Sequence, residues 1–354
     1  MNKKILYFSG SKKKRIDDPN THSLEKFDSN DIAQVLSDNT LILMKHWIKF
    51  QQEWINNIYT QFKDYDKYIV LIYLVSKAWE DDSNLFKFYS LEEFYSKKDI
   101  TLPNVSLFKL SMSLKIPKET IRRKLVELEE QSLIKRQGQK ILLTHTALDL
   151  QKPGNSIKNI SIFFEKLSVL LSAHDWFGPS IKREDVELYF KKYYTIFWNR
   201  YFQIQIPFLV RWKTIFGDLE SFVIWGNMGI NQNINLQRIL QEADIKSNNL
   251  KIKKEQYIAN IINMSDSKVN ESMQGINASS IAEISSIPRA TVIRKLNKLL
   301  KEKIIKRNKK LEYFLTSRGK LNKKISANYL INQKNIALFV TDIFNLIKKS
   351  SLKI

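Results

Sequence analysis

The stretch LSMSLKIPKETIRRKLVELEEQSLIKR, from Leu110 to Arg136, decides the fold because it recurs later in the chain with little change. From Ile281 to Arg307 the sequence reads IAEISSIPRATVIRKLNKLLKEKIIKR. The two copies align without a gap at an offset of 171 residues, and they share an Ile-Pro pair, an Arg-Lys-Leu triplet and the ending Ile-Lys-Arg. Such self-similarity indicates two copies of one structural unit.

Each copy has the pattern of two helices joined by a tight turn. A short apolar-patterned segment runs into Ile-Pro, and Pro117 or Pro288 then suits the first turn of a second helix, since proline needs no amide partner there. Apolar residues recur at i, i+4 and i+7 in both second helices, as expected of an inward-facing stripe: Ile121, Leu125, Leu128, Val292, Leu296 and Leu299. The spacing predicts helix-turn-helix segments over 106–131 and 278–302.

Two short β-prone runs around a basic tip follow each helix-turn-helix, which predicts hairpins, or wings, over 133–144 and 304–316. Carried by the shared string IP-[KR]-x-T-[IV]-x-R-K-L, this order resembles the winged helix-turn-helix superfamily of DNA-binding regulators. The apolar helices before and after each copy also resemble the multiple-antibiotic-resistance regulator (MarR) family, although stretches of about 25 and 45 residues (80–104 and 231–276) are inserted here. The resemblance implies duplex DNA as partner and dimerisation through the flanking helices.

The repeat extends beyond these segments, because the residues around Asp64 match those around Asp218 and the stretch from Asn159 is echoed from Asn335. We therefore predict a mainly α fold with small β-hairpin wings, in which two tandem winged helix-turn-helix units, each flanked by apolar helices, form a pseudo-dimer. The first unit spans 31–175 and the second 183–350. Gly154 and the stretch 177–180 are the predicted linkers.

The composition narrows the classes of function. A formal net charge of +22 indicates a polyanionic partner, since neutralising phosphates releases counterions; a lysine-rich composition inherited from an AT-rich genome is the alternative. The chain has no cysteine and four histidines, and we find no nucleophile motif, phosphate-binding glycine loop or metal-ligand spacing. We expect no enzymatic activity, no metal and no cofactor. No apolar run approaches the length of a membrane span, so we expect a cytoplasmic, nucleoid-associated protein without membrane contact.

Two further segments have alternative interpretations. Residues 1–30 read as a flexible basic arm, which either is solvated or adds phosphate contacts. The segment from Glu187 to Phe202 carries pairs of aromatic residues every four positions, typical of core, although such a stripe can also stack bases or line a ligand pocket.

A recognition helix places its N-terminal residues at base edges, where arginine can bind guanine and glutamate can accept from cytosine. The recognition residues predicted from the helical spacing are Lys118, Glu119, Thr120, Arg122, Arg123, Arg289, Thr291, Ile293, Arg294 and Asn297. Basic wing residues are expected on the DNA backbone, where they give affinity rather than sequence choice: Lys135, Arg136, Lys140, Lys306, Arg307, Lys309 and Lys310.

The two heads differ in charge, with seven basic and four acidic residues from Pro117 to Lys140 but ten and one from Pro288 to Lys310. We expect a sequence-specific transcriptional regulator that acts as a monomeric pseudo-dimer with non-identical heads. Further oligomers or a small-molecule effector are compatible with the sequence. A replication initiator with tandem winged domains, a non-specific nucleoid or RNA-binding protein, and winged units that bind protein are the alternatives.

Overall fold

The first half of the chain folds into helices separated by one small sheet. The computed structural model describes residues 26–79, 88–102, 105–138, 140–150, 152–242, 274–316 and 319–351. Residues 1–25 of the expected arm, 80–87 and 103–104 of the first insertion and most of the second insertion therefore lie outside the described residues. The elements of the first half are α1 (Ser29–Asp38), α2 (Thr40–Phe62), α3 (Tyr65–Ala78), α4 (Leu91–Tyr95), β1 (Ile100–Thr101), α5 (Leu107–Leu114), α6 (Lys118–Glu130), β2 (Ile134–Gln137), β3 (Lys140–Leu143), α7 (His145–Leu150) and α8 (Ser156–Leu171).

The second half presents a similar order of elements. They are α9 (Arg183–Lys192), α10 (Tyr194–Phe216), α11 (Leu219–Glu242), α12 (Ala278–Ser285), α13 (Arg289–Lys301), β4 (Ile305–Arg307), β5 (Tyr313–Leu315) and α14 (Asn322–Ser351). Helices α2 and α10 hold matching places and have 23 residues each. The described chain is thus mainly helical with two small antiparallel sheets, which confirms the expected fold class at that level.

The opening helix of each half packs on the closing helix of the other half. Helix α1 contacts α14, and α9 contacts α8. The long helices cross over in the same way, since α2 also touches α12 and α10 also touches α5. These contacts between the halves remove apolar surface from water, and this burial stabilises both halves together.

Aromatic side chains fill the seam between the halves. The Trp47 ring lies 5.3 Å from that of Phe163 and 6.2 Å from that of Phe339, so one side chain touches both closing helices. The prediction that the aromatic segment 187–202 belongs to the core is confirmed, because its inward members are buried: Phe190, Tyr194, Phe197, Trp198, Tyr201 and Phe202.

Two expectations about connections need correction. The stretch at 177–180 is not a free linker, because Phe177 is buried and its ring lies 5.1 Å from that of Phe344. The end of the expected arm is docked as well, since the Phe27 backbone N–H donates to Asn345 Oδ1 at 2.9 Å.

The inserted stretches each contribute to a hairpin edge. Strands β2 and β3 pair antiparallel with Ile134 opposite Leu143, and β1, from the end of the first insertion, adds a third strand along β3. In the second half β4 pairs with β5, and Ile276 forms an isolated bridge with Tyr313. Pairing at these positions covers backbone groups that an open hairpin edge would expose.

In the described ranges no helix combines the length and the apolar composition that crossing a bilayer requires.

Candidate nucleic-acid interface

A three-residue turn sets α6 at a fixed angle to α5. Lys115 ends α5 in the left-handed region with φ of 51°, and its backbone N–H donates to the Ser111 carbonyl. Pro117, with φ of −55°, holds the N-cap position, so α6 begins at Lys118. The second half repeats this turn, since Ser286 has φ of 57° and Pro288 precedes α13 with φ of −53°. The left-handed residue terminates one helix and the proline starts the next.

One face of each second helix is buried, as the spacing predicts. The inward stripes are at most 3% exposed: Ile121, Leu125, Leu128, Val292, Leu296 and Leu299. The opposite faces of α6 and α13 therefore point to solvent.

An ion pair fixes α6 to the start of α3. One carboxylate oxygen of Asp64 caps α3 by accepting from the Asp66 and Lys67 backbone N–H groups, and the other lies 2.6 Å from Lys124 Nζ. Burial alone would raise the pKa of Asp64, but the hydrogen bonds from Lys124 and the backbone outweigh burial and lower it. Lys124 is itself buried and lies 2.8 Å from Glu127.

The same ion pair recurs between α11 and α13. Asp218 accepts from the Ser221 backbone N–H at 2.8 Å, and its carboxylate lies 2.8 Å from Lys295 Nζ and 3.1 Å from Lys298 Nζ. Burial again opposes ionisation, but the hydrogen bonds from Lys295 and Ser221 lower the pKa of Asp218 from 3.8 to about 2. Asp218 thus caps the start of α11 and also pairs with Lys295 of α13. This ion pair fixes the buried side of α13 to α11.

This lowered pKa predicts a pH dependence of stability. A carboxyl group whose pKa is lower in the folded state contributes stability that is complete above its unfolded value and is lost as the pH falls through its folded value. The Asp218 contribution should therefore disappear between about pH 4 and pH 2. We expect Asp218→Asn to be less stable than the parent protein at pH 7 and to lose less stability over that acid range.

The measurement is chemical unfolding followed by circular dichroism at a series of pH values. Asp175→Asn is the control, because Asp175 is exposed. Equal losses of stability between pH 4 and pH 2 in the parent and Asp218→Asn proteins would contradict this assignment.

The exposed face of α6 is basic, but its charges are partly neutralised by neighbours on the same helix. Arg123 has 68% of its side chain exposed and lies 3.8 Å from Glu127. Arg122 pairs with Glu119 at 2.6 Å. Both arginines are where the sequence predicts them, and each meets an acid one turn away.

The first wing is neutralised in the same manner. Glu129 at the end of α6 accepts from Arg136 through the side-chain Nε at 2.6 Å and the backbone N–H at 2.9 Å. Lys135 lies 3.1 Å from Asp99, a residue of the first insertion. Lys140, by contrast, is exposed without an acidic partner in the described part of the chain.

The second half presents basic residues without acidic partners. Arg294 is exposed, and across the described ranges no carboxylate lies within ion-pair distance of it. Arg289 is exposed and donates to the Ser279 hydroxyl at 3.1 Å, with no carboxylate among the described residues in ion-pair distance. The other exposed basic residues of the second head that lack an ion pair with a described residue are Lys301, Lys303, Arg307, Lys309 and Lys310. This arrangement leaves their charges available to an anionic partner.

Some predicted contact residues are less accessible than expected. Ile293 is half-buried and packs against the core, so it offers only part of its side chain to a thymine methyl. Thr120 and Thr291 are also half-buried, while Lys118, Glu119 and Asn297 are exposed. Lys306 is half-buried on β4, next to exposed Arg307.

Sequence reasoning counted the acids of the first head but missed that they pair with its arginines. A signal for the buried ion pair was present, because Asp64 and Lys124 both recur in the second half as Asp218 and Lys295. No comparable signal marks Asp99, which reaches Lys135 only through the path of the first insertion.

Among the residues that the structure describes, no group of three or more histidine, aspartate or glutamate side chains is placed to hold a metal ion. Comparison with known proteins gave no matching family model, no matching curated protein and no matching solved structure.

Proposed function

We propose that this protein is a non-catalytic, sequence-specific DNA-binding transcriptional regulator built from two tandem winged helix-turn-helix units. The observation that carries the proposal is the pair of outward-facing helices, α6 and α13, which follow equivalent three-residue turns and expose Arg123 and Arg294 at equivalent positions. A net charge of +22 supports a polyanionic partner. The order of helix, turn, helix and hairpin is the geometry that presents a helix to the major groove.

In this proposal each helix reads bases and each wing holds the backbone. Arg123 and Arg294 are suited to bidentate contacts with guanine. Arg307, Lys309 and Lys310 lie on or beside the second hairpin, where they contact phosphates without reading sequence.

The reciprocal packing of the two halves supports a built-in pseudo-dimer. Helix α1 of the first half packs on α14 of the second, and α9 of the second half packs on α8 of the first. Two subunits of a dimer exchange helices in the same way, and here both halves belong to one chain. A single chain would then occupy an imperfectly palindromic site as a monomer, in the cytoplasm on the nucleoid.

Selection of bound sequences from random duplex DNA with the full chain tests the proposal. We expect an enriched site with two half-sites that differ, since the outward residues near Arg123 and Arg294 differ. No enriched sequence would favour a non-specific nucleoid or RNA-binding protein, and a fully symmetric site would contradict the non-identical heads.

The internal acids of the first head give a second prediction. Glu119→Gln combined with Glu129→Gln frees Arg122 and Arg136 from their ion pairs. We expect tighter binding to unrelated duplex DNA at low salt, where base reading by Glu119 plays no part, and a logarithmic salt slope steeper by about 1 to 2, because each added phosphate contact contributes about 0.9.

The control pair Glu184→Gln and Asp342→Asn removes the same two charges from α9 and α14, outside the heads. DNA-binding titrations at several salt concentrations give the salt slope of the parent protein and of each double variant. If both double variants change the slope equally, the effect arises from total charge and the local role of Glu119 and Glu129 is refuted.

A further inference from the structure

The outer face of α5 carries two large apolar side chains, Phe108 and Met112. Phe108 is 57% exposed and Met112 is 66% exposed, whereas Leu110 and Leu114 of the same helix are fully buried. At about 100° per residue, positions two apart on a helix point in nearly opposite directions. Residues four positions apart are neighbours on the helix surface, so Phe108 and Met112 form one apolar patch. Contiguous apolar surface, unlike a single exposed side chain, marks a site of interaction.

The internal repeat shows that the fold does not require these side chains. At the offset of 171 residues, Phe108 matches Ser279 and Met112 matches Glu283. Both counterparts are exposed on α12, which has eight residues, as α5 has, and which runs into the equivalent turn. A polar pair therefore serves the helix-turn-helix equally well, and the apolar pair of the first head needs another explanation.

Positive charges lie beside the apolar pair. Three exposed lysines on or next to α5 have no acidic partner in the part of the chain that the structure describes: Lys109, Lys115 and Lys118. The Lys118 Nζ lies 5.1 Å from the centroid of the Phe108 ring, a cation–π contact that links the start of α6 to this face. Glu119, the acid next to Lys118 in the chain, is already paired with Arg122 at 2.6 Å. The outer face of α5 thus combines apolar side chains with charges that are not neutralised.

Other differences between the heads agree with a separate role for the first. Its arginines pair with three acids, Glu119, Glu127 and Glu129, and no counterpart of these acids in the second head is acidic. The first head therefore attracts DNA less strongly and also exposes an apolar patch. This combination favours a protein over DNA as the partner of the patch, because most groups that duplex DNA presents to a protein are phosphates and sugars.

We propose that the outer face of α5 docks an acidic amphipathic helix of a partner protein. The apolar side chains of that helix, spaced at i, i+4 and i+7, pack on Phe108 and Met112 as the faces of two amphipathic helices pack on one another. Its acidic side chains lie opposite the three lysines, and this complementarity of charge selects the partner and its orientation. The reading arginines belong to α6, so the docking does not depend on the proposed function.

Fluorescence anisotropy with the full chain tests the docking. The probe is a fluorescein-labelled peptide of about four helical turns, with leucine or phenylalanine at i, i+4, i+7 and i+11 and glutamate at most other positions. We expect saturable binding that weakens as salt is added, because salt screens exposed charges. A scrambled peptide of the same composition, whose apolar residues do not share a face, measures the non-specific attraction to a net charge of +22 and should bind more weakly.

Two substitutions that introduce the residues of the second head test the apolar pair. Phe108→Ser and Met112→Glu should each weaken binding of the acidic peptide by about tenfold or more, as expected for a side chain at the centre of an interface. Both side chains are exposed, so Tm should stay within about 2 °C of the parent value. Ile284→Ser is the matched control, because Ile284 is 41% exposed on α12, and it should bind the peptide as the parent does.

A double substitution tests the charges. Lys109→Gln combined with Lys115→Gln should weaken peptide binding about two- to fivefold at low salt and should reduce its salt dependence, because exposed ion pairs contribute on this scale. The control is Lys323→Gln combined with Lys324→Gln, which removes two exposed lysines from α14. It should leave both the affinity and the salt dependence unchanged.

The docking is refuted if the acidic peptide does not bind the parent protein, if the scrambled peptide binds as tightly, or if Phe108→Ser and Met112→Glu bind the peptide as the parent does. Two other occupants of this face would also be recognised. Weaker binding of an oligonucleotide to Phe108→Ser, without an effect on the peptide, would assign the face to nucleic acid. A dimer in sedimentation that Phe108→Ser dissociates would assign it to a second copy of the chain, and either result overturns the proposal. Failure of DNA binding as such refutes the proposed function but not the peptide result.

Discussion

Replacing Arg294 by alanine is expected to weaken binding to the preferred DNA site by about 5- to 150-fold, the range that corresponds to one lost base contact of about 1–3 kcal/mol. Arg294 is exposed on the outward face of α13 and has no ion-pair partner in the described ranges, so no described carboxylate competes with DNA for its guanidinium group. Arg123→Ala should show a smaller loss of DNA affinity, because Glu127 lies 3.8 Å from Arg123 and already neutralises part of its charge.

Titrating the selected site and unrelated duplexes with each variant distinguishes a lost base contact from a lost phosphate contact. The Arg294→Ala protein should lose discrimination between these DNAs, whereas Arg200→Ala, which removes an exposed arginine from α10, should behave as the parent does. A uniform weakening on all sequences, with a salt slope lower by about one, would show that Arg294 contacts phosphate instead.

The Trp198→Ala protein is expected to lose about 3–5 kcal/mol of unfolding free energy, the usual cost of removing a buried aromatic side chain. Trp198 is 2% exposed, and its ring lies 5.1 Å from Trp54 and 6.4 Å from Phe50, so it joins α10 of the second half to α2 of the first. Because α2 and α10 each touch a helix of the opposite head, we expect the loss to lower the stability of both halves in one transition.

Thermal unfolding followed by circular dichroism measures the effect, with an expected fall in Tm of roughly 5–15 °C. Trp176→Ala is the matched control, since Trp176 is 38% exposed and leaves a smaller cavity. Two separated unfolding transitions in Trp198→Ala, or a fall in Tm no larger than that of the control, would contradict the role of Trp198 in joining the two halves.

The positions of the helices follow from local sequence. The stripe of Ile121, Leu125 and Leu128 specifies a helix with one buried face, and the proline at 117 marks its start, because helical periodicity depends on residues three or four positions apart. The repeat then predicts the same elements in the second half. The arginines at 123 and 294 are exposed, as this spacing requires.

The linkers and the arm could not be predicted in this way. Phe177 directly precedes a glycine-proline pair typical of a connection, yet it is buried because Phe27 and Phe344 approach it from distant parts of the chain. Neither contact leaves a periodic signal near residue 177.

The sequence by itself determined the helical character, the order of the repeated elements and the faces on which the basic residues lie, since all three depend on short-range spacing. Only the tertiary structure decided which of those charges are paired, as in Arg136 with Glu129, and which are left exposed without a described partner, as in Arg294. Both outcomes depend on distances between groups on different elements, and those distances are set when the two halves exchange helices and pack.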